Sequence, residues 1–200
     1  MIVFERNKKN NLSVKRGNVL ITRSGAIVRL INLVKRAVFK IDNKIRVIGG
    51  DNVSDCLSSF FVDEFWKMPR IDKISFNKFL AKCRSLNISI IIPSRDGELK
   101  CFARHKYSFL KAGIHVMVSD IEFVLNCIDK FKFSSLKGLN IIPSTLSIDD
   151  LEATKYVVKE RFGAGSKSIG ANLAKSQATL HAESLKHPIF QPFISGRELS

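Results

Sequence analysis

Apolar residues along the chain fall into two alternating rhythms. Val19, Leu20 and Ile21 form a short continuous run that ends at Thr22 and the turn residues Arg23, Ser24 and Gly25. From 27 to 40 the apolar positions Ile27, Leu30, Ile31, Val34 and Val38 recur at steps of three and four, which line one face of a helix. Arg29, Lys35 and Arg36 fall largely off that face. A second apolar run covers 45–49, with Asp51 just past its end. Strand, glycine turn, helix and a strand tipped by an acid make a βαβ unit of the doubly wound kind. The alternation continues with an amphipathic stretch at 76–86 and a buried-strand composition at 88–92 stopped by Pro93. A helix at 97–111, a strand at 114–118 and a helix running to about 129 follow. The expected architecture over about 18–128 is a four- or five-stranded, mainly parallel sheet. Right-handed crossovers would set its ligand-facing crevice at the strands' C-terminal ends.

The texture changes near 130. A short helix at 131–136 and an extended piece at 140–144 lead to 156–160, a strand in which Lys159 interrupts an apolar run. A lone lysine there needs an anionic partner or a route to solvent. The next segment, 163–170, holds Gly163, Gly165, Ser166, Lys167, Ser168 and Gly170, and a return strand at 169–174 makes it a hairpin loop. Glycines let backbone N–H groups converge on an anion in conformations closed to other residues, and the hydroxyls and lysine add donors. The spacing is neither G-x-x-x-x-G-K-[ST] nor G-x-G-x-x-G, and a mobile turn would also account for it. A further strand is expected at 188–194.

Charge adds one constraint. The 200 residues carry 33 Lys and Arg against 18 Asp and Glu, a net +15, which points to a polyanionic partner. The basic residues are scattered, and the densest cluster (Arg6, Lys8, Lys9, Lys15, Arg16) lies in a lead-in covering 1–17. Most of the 15 Phe sit inside apolar runs, where they serve a core better than base stacking. A nucleotide phosphate uses the charge as well as a nucleic acid does, and nucleic acid is the weaker expectation. With 45% hydrophobic and 26% charged residues the composition is that of a folded chain. There is no apolar run long enough to span a bilayer and no apolar signal stretch at the N-terminus, so the expected location is the cytoplasm, without membrane association. Cys56, Cys83, Cys101 and Cys127 are widely separated and read as thiols. His105, His115, His181 and His187 are too dispersed for a catalytic set.

Two segments together resemble a known family. Residues 157–166 (Val-Val-Lys-Glu-Arg-Phe-Gly-Ala-Gly-Ser) and 191–198 (Gln-Pro-Phe-Ile-Ser-Gly-Arg-Glu) look like the nucleotide-binding segments of ATP-grasp enzymes, most of all the group similar to the large subunit of carbamoyl-phosphate synthetase. Upstream, residues 18–25, the pattern Pro93-x-x-Asp96-x-Glu98-Leu99 and the helix ending at Asp129 and Lys130 fall where that family's preceding Rossmann-like domain has them. The resemblance implies an α/β chain: a Rossmann-like pre-ATP-grasp domain at 18–129 with a mainly parallel sheet, then a partial α+β ATP-grasp domain at 130–200.

The resemblance also implies roles. Lys130 would reach the ATP phosphates, and Lys159 would bridge the α-phosphate and the adenine side. Gly163, Gly165, Ser166, Ser168 and Gly170 would form a flap over the β- and γ-phosphates. Gln191 and Phe193 would offer main-chain groups to the adenine edge, Ile194 would pack near the ring, and Glu198 would accept from the ribose hydroxyls. Glu160 stands where many relatives have proline, so its charge must point away or pair with Arg161. The family's Mg²⁺ is held by acids well beyond the G-x-E segment, so its ligands are expected past Ser200 and no metal ligand is assigned here. The implied function is the ATP-binding portion of a carboxylate–amine ligase that works through an acylphosphate. Its acceptor site would lie near Ser24, Asp51 and Asp96, its partners would be ATP and a small carboxylate, and a homodimer is among the expected assemblies. The 200 residues alone are expected to be inactive. The alternative is a truncated, non-catalytic adenine-nucleotide-binding module.

Overall fold

The computed structural model describes residues 16–136, 138, 140–166 and 168–196. The chain divides into two compact units, one on each side of the step from Ile121 to Glu122. Most of the lead-in, together with Lys167 and Glu198, lies outside the described residues.

The first unit contains β1 (Asn18–Thr22), α1 (Val28–Ile41), β2 (Val47–Asp51), β3 (Glu64–Lys67), α2 (Phe76–Ser85), β4 (Ile88–Pro93), α3 (Asp96–Lys111) and β5 (His115–Val116). The five strands form one sheet in the order β3-β2-β1-β4-β5, and every pairing is parallel. This is the expected α/β sheet. Successive side chains on a strand point to opposite faces, so β1 serves two cores. Val19 and Ile21 join Val47 under Ile31 and Val38 of α1. Leu20 joins Ile48, Ile91 and Val116 under Phe79 of α2 and Phe102 and Phe109 of α3. The Phe79 ring centroid lies 5.3 Å from Trp66, 5.8 Å from Phe102 and 5.9 Å from Phe109. β3 is an addition to the sequence expectation, and the expected strand at 114–118 contracts to two residues.

The chain reverses its direction of winding between β1 and β4, the place where doubly wound sheets open a crevice. Ser94 Oγ closes the two strand ends by donating to the carbonyls of Thr22 (2.7 Å) and Arg23 (3.1 Å). Asp51 accepts from the amides of Gly25 (3.0 Å) and Val53 (3.2 Å). Ser24 is fully buried and accepts from Ser58 Oγ at 3.3 Å. Two residues expected to shape an acceptor site, Ser24 and Asp51, are thus engaged in holding loops, and Asp96 is exposed at the start of α3.

The second unit opens with α4 (Ile121–Ile128), whose first residue lies on the other side of the division. It contains α5 (Lys130–Ser134), β6 (Tyr156–Glu160), β7 (Gly170–Leu173), α6 (Lys175–Glu183) and β8 (Pro188–Pro192). Its three strands are antiparallel in the order β7-β6-β8. Tyr156, Val158 and Phe190 pack with Ile148 and with Ala178 of α6. β8 stops at Pro192 rather than at 194, and α6 was not expected from the sequence. Among the described residues no helix is long and apolar enough to cross a membrane.

Candidate functional site

β6 carries its residues alternately to the two faces of the small sheet. Tyr156 and Val158 face α6, so Val157 and Lys159 take the opposite face. The register sets Val157 beside Gln191 and Lys159 beside Ile189. Lys159 is half-buried. Burial, and then the positive charge of Lys130, push its ammonium below the usual lysine range. An approaching anion would relieve both effects.

Lys130 is brought to β6 by α5. Asp129 caps this helix, accepting from the amides of Phe131 (3.1 Å) and Lys132 (3.2 Å). The same carboxylate receives a two-pronged hydrogen bond from Arg161, with Nε to Oδ1 at 2.7 Å and a terminal nitrogen to Oδ2 at 2.6 Å. The Arg161 hydrogen bond, aided by the capping amides, holds the Asp129 carboxyl below the ordinary range. The guanidinium carbon of Arg161 lies 5.3 Å from the Phe131 ring and 5.2 Å from the Phe162 ring. Lys130 N donates to Arg161 O (3.1 Å), and Lys130 Nζ donates to Gly163 O (2.7 Å). Lys130, Lys159 and the start of the glycine hairpin therefore meet at one end of β6. Glu160 takes the first of its two expected courses: it turns away from Arg161 and accepts from the amides of Lys186 (2.6 Å) and His187 (3.1 Å).

The hairpin between β6 and β7 bends through the left-handed region at two glycines and two serines. Gly163 (φ +106°), Gly165 (φ +82°), Ser166 (φ +52°) and Ser168 (φ +57°) all have positive φ, and all four are exposed. His181 Nε2 donates to Ser168 O at 3.2 Å. Gly170 is closely packed instead: a Cβ there would meet Leu173 Cδ1 at 2.6 Å and the His181 ring at 2.9 Å, so these side chains would have to shift.

The other expected residues cluster at the far end of β6. Gln191 is buried and its Nε2 donates to Ser144 Oγ at 2.7 Å, a partnership that the sequence did not announce. Phe193 N donates to Lys155 O at 2.9 Å, so of its main-chain groups the carbonyl is the one left to offer a ligand. Ile194 is 64% exposed. The pair between Asp129 and Arg161 is the main feature that sequence reasoning missed. The two residues are 32 positions apart and no local pattern links them. Among the described residues no group of three or more His, Cys, Asp or Glu side chains converges in a way that would hold a metal ion.

Comparison with known proteins agrees with this architecture. The family model described as PylC-like, N-terminal domain matches residues 19–117, and the model described as ATP-grasp domain matches residues 127–200. A search of curated proteins finds no match. Among solved structures, the fold is similar to the biotin carboxylase domain of Hydrogenobacter thermophilus 2-oxoglutarate carboxylase in complex with MgADP, ADP and bicarbonate. That match has 14% identity and a TM-score of 0.63, and covers 89% of this chain and 44% of that one. It is also similar to N5-carboxyaminoimidazole synthetase from Staphylococcus aureus complexed with ADP, with 14% identity and a TM-score of 0.61, covering 90% of this chain and 48% of that one. The chain thus spans a little under half the length of these structures. At such identities the likeness is one of fold. The chain thus carries a PylC-like N-terminal domain followed by ATP-grasp-domain sequence.

Proposed function

We propose that the second unit binds adenine nucleotide and that the chain is the ATP-binding portion of a carboxylate–amine ligase. The observation that carries this reading is Lys159. It is a half-buried lysine set against a second lysine at the foot of a hairpin whose backbone takes positive φ at four described positions. An anion is the ligand that such a place favours. On this reading Lys130 and Lys159 would hold phosphate oxygens, and the amides of 163–170 would close over them. The Phe193 carbonyl and Ile194 would meet the base at the far end of β6. Glu198 would meet the ribose. The finer likeness to the carbamoyl-phosphate synthetase group rests only on the order of the motifs quoted above.

The chemistry implied is activation of a carboxylate. Its negative charge repels nucleophiles and oxide is a very poor leaving group, whereas an acylphosphate made from ATP is open to attack by an amine. In this chain the lysines would offset charge on the phosphoryl oxygens, and the hairpin would exclude water. The described residues offer no acid set fitting Mg²⁺.

Calorimetric titration with ATP tests the reading. It predicts saturable binding that persists when salt is raised from 50 to 200 mM. It also predicts a loss of about tenfold in Gly165→Val, because a non-glycine residue in the left-handed region costs about 1–2 kcal/mol. Among the described residues a Cβ at this position meets no atom within 4 Å, so the effect comes from the backbone and not from a clash. Binding that vanishes with salt alike in both proteins would identify a diffuse electrostatic attraction and overturn the assignment.

A further inference from the structure

Lys130 is not held in place by its own helix. α5 has five residues, too short to persist alone in water. What fixes it is the carboxylate of Asp129, which caps the helix from one side and takes both prongs of Arg161 from the other. Arg161 in turn lies against the Phe131 and Phe162 rings. Its own backbone is tied to β8's entry by Arg161 N donating to His187 O at 2.8 Å, and to α5 by Lys130 N donating to Arg161 O at 3.1 Å. The Asp129 side chain is only 7% exposed and that of Arg161 25%, so the carboxylate is more sheltered than one in a fully exposed pair. The guanidinium is directed at Asp129 and lies near both rings, while Lys130 Nζ reaches the Gly163 carbonyl.

We propose that Asp129 and Arg161 are positioning residues: a clamp between α5 and the end of β6 that presets Lys130 Nζ against Gly163 for phosphate binding, without either residue touching the ligand. The proposal rests on the nucleotide reading given above. A lysine that samples many rotamers loses entropy when it meets an anion, whereas one already held at the hairpin loses little, so the clamp acts on affinity through Lys130. Lysine in place of Arg161 keeps the charge but lacks the planar fork. Asparagine in place of Asp129 keeps a helix-capping oxygen but lacks the charge.

The test joins hydrogen exchange to a binding cycle. In the nucleotide-free chain, Asp129→Asn and Arg161→Lys are each expected to speed exchange of the Lys130 amide by about tenfold or more. Unchanged exchange would mean that the pair does not hold the segment. In calorimetry, each variant is expected to weaken ATP binding by about tenfold in the native background. In a Lys130→Met background the same variants should change it by about twofold or less, because the route through Lys130 is already gone. An equal loss in both backgrounds would assign the pair a general structural role and overturn the proposal. If Lys130→Met weakens ATP binding while both clamp variants bind like the native chain, the clamp alone fails and the nucleotide reading stands. If Lys130→Met binds ATP as the native chain does, the phosphate role of this lysine fails and takes the clamp with it. Should Asp129→Asn fail to fold, Arg161→Lys reads the same quantities.

Discussion

Replacing Lys159 by Met should move stability and affinity in opposite directions. Met keeps an unbranched apolar stem that fits where the lysine stem lies, and removes only the ammonium. Without nucleotide the ammonium is unfavourable: burial disfavours its charge and Lys130 adds repulsion. A lysine whose folded-state pKa is lowered destabilises the fold at neutral pH. The penalty fades as pH rises through the folded value toward the ordinary lysine value of 10.5. Lys159→Met should therefore leave the ligand-free protein at least as stable as the native chain, with a larger gain at pH 7 than at pH 10. With ATP the sign reverses. A hydrogen bond to a charged group contributes about 1.5–3 kcal/mol, so its loss weakens binding about 10- to 150-fold. At an ATP concentration 100 times the native dissociation constant, binding stabilises the native chain by about 2.7 kcal/mol. The same concentration would stabilise the variant by only about 0.3–1.4 kcal/mol. Differential scanning calorimetry with and without ATP reads both effects. A variant that melts earlier without ATP and gains as much from ATP as the native chain would refute the argument.

Three further outcomes test the fold beneath the site. Phe79→Ala empties the centre of the aromatic cluster on one face of the parallel sheet, where Phe79 is 1% exposed. It should cost about 3–5 kcal/mol by denaturant titration, and a loss under about 1 kcal/mol would contradict the packing described. Burial pushes the Cys83 thiol up to about 12 while Cys127 is exposed, so a disulfide reagent should modify Cys127 in the native protein and Cys83 only on unfolding. Glu98 is buried, accepts from Thr22 Oγ1 at 2.6 Å, and has no hydrogen-bond partner for Oε1 among the described residues. Burial raises its pKa, so stability should fall as pH rises from the ordinary glutamate value of 4.5 through the folded value. Glu98→Gln should flatten that slope, and an unchanged slope would contradict the assignment.

The parallel sheet was legible because each of its central strands is a short apolar run and each of its helices repeats apolar residues at helical steps. Residues 27–38 show this most clearly. β3 escaped because Glu64 and Lys67 bracket only two apolar residues, and because an edge strand needs just one hydrogen-bonded neighbour. α6 escaped because its apolar residues do not share a face: Ala178 is buried while Leu180 is 69% exposed. At the site, Lys159 stood out as a charge inside a strand of valines, and the glycines of 163–170 forecast a backbone that the structure then bends to positive φ. The choice made by Arg161 could not be read in advance. Glu160 is its sequence neighbour, yet alternation along the strand end points that acid toward the amides of Lys186 and His187. The fold brings Asp129 in from a residue preceding α5, a contact made by tertiary packing rather than by local pattern.

The central claim, that an adenine nucleotide lies along β6 with its phosphates at the hairpin, is tested most directly by titrating ATP into the ¹⁵N-labelled chain and following each backbone amide. The account predicts that the shifts concentrate at Lys130, at Lys159, through 163–170 and from Gln191 to Ile194, with those at the hairpin following the phosphates and those at Phe193 and Ile194 following the base. Shifts spread over lysines of both units that fade with added salt, or shifts centred on the strand ends near Thr22 and Ser94, would contradict it.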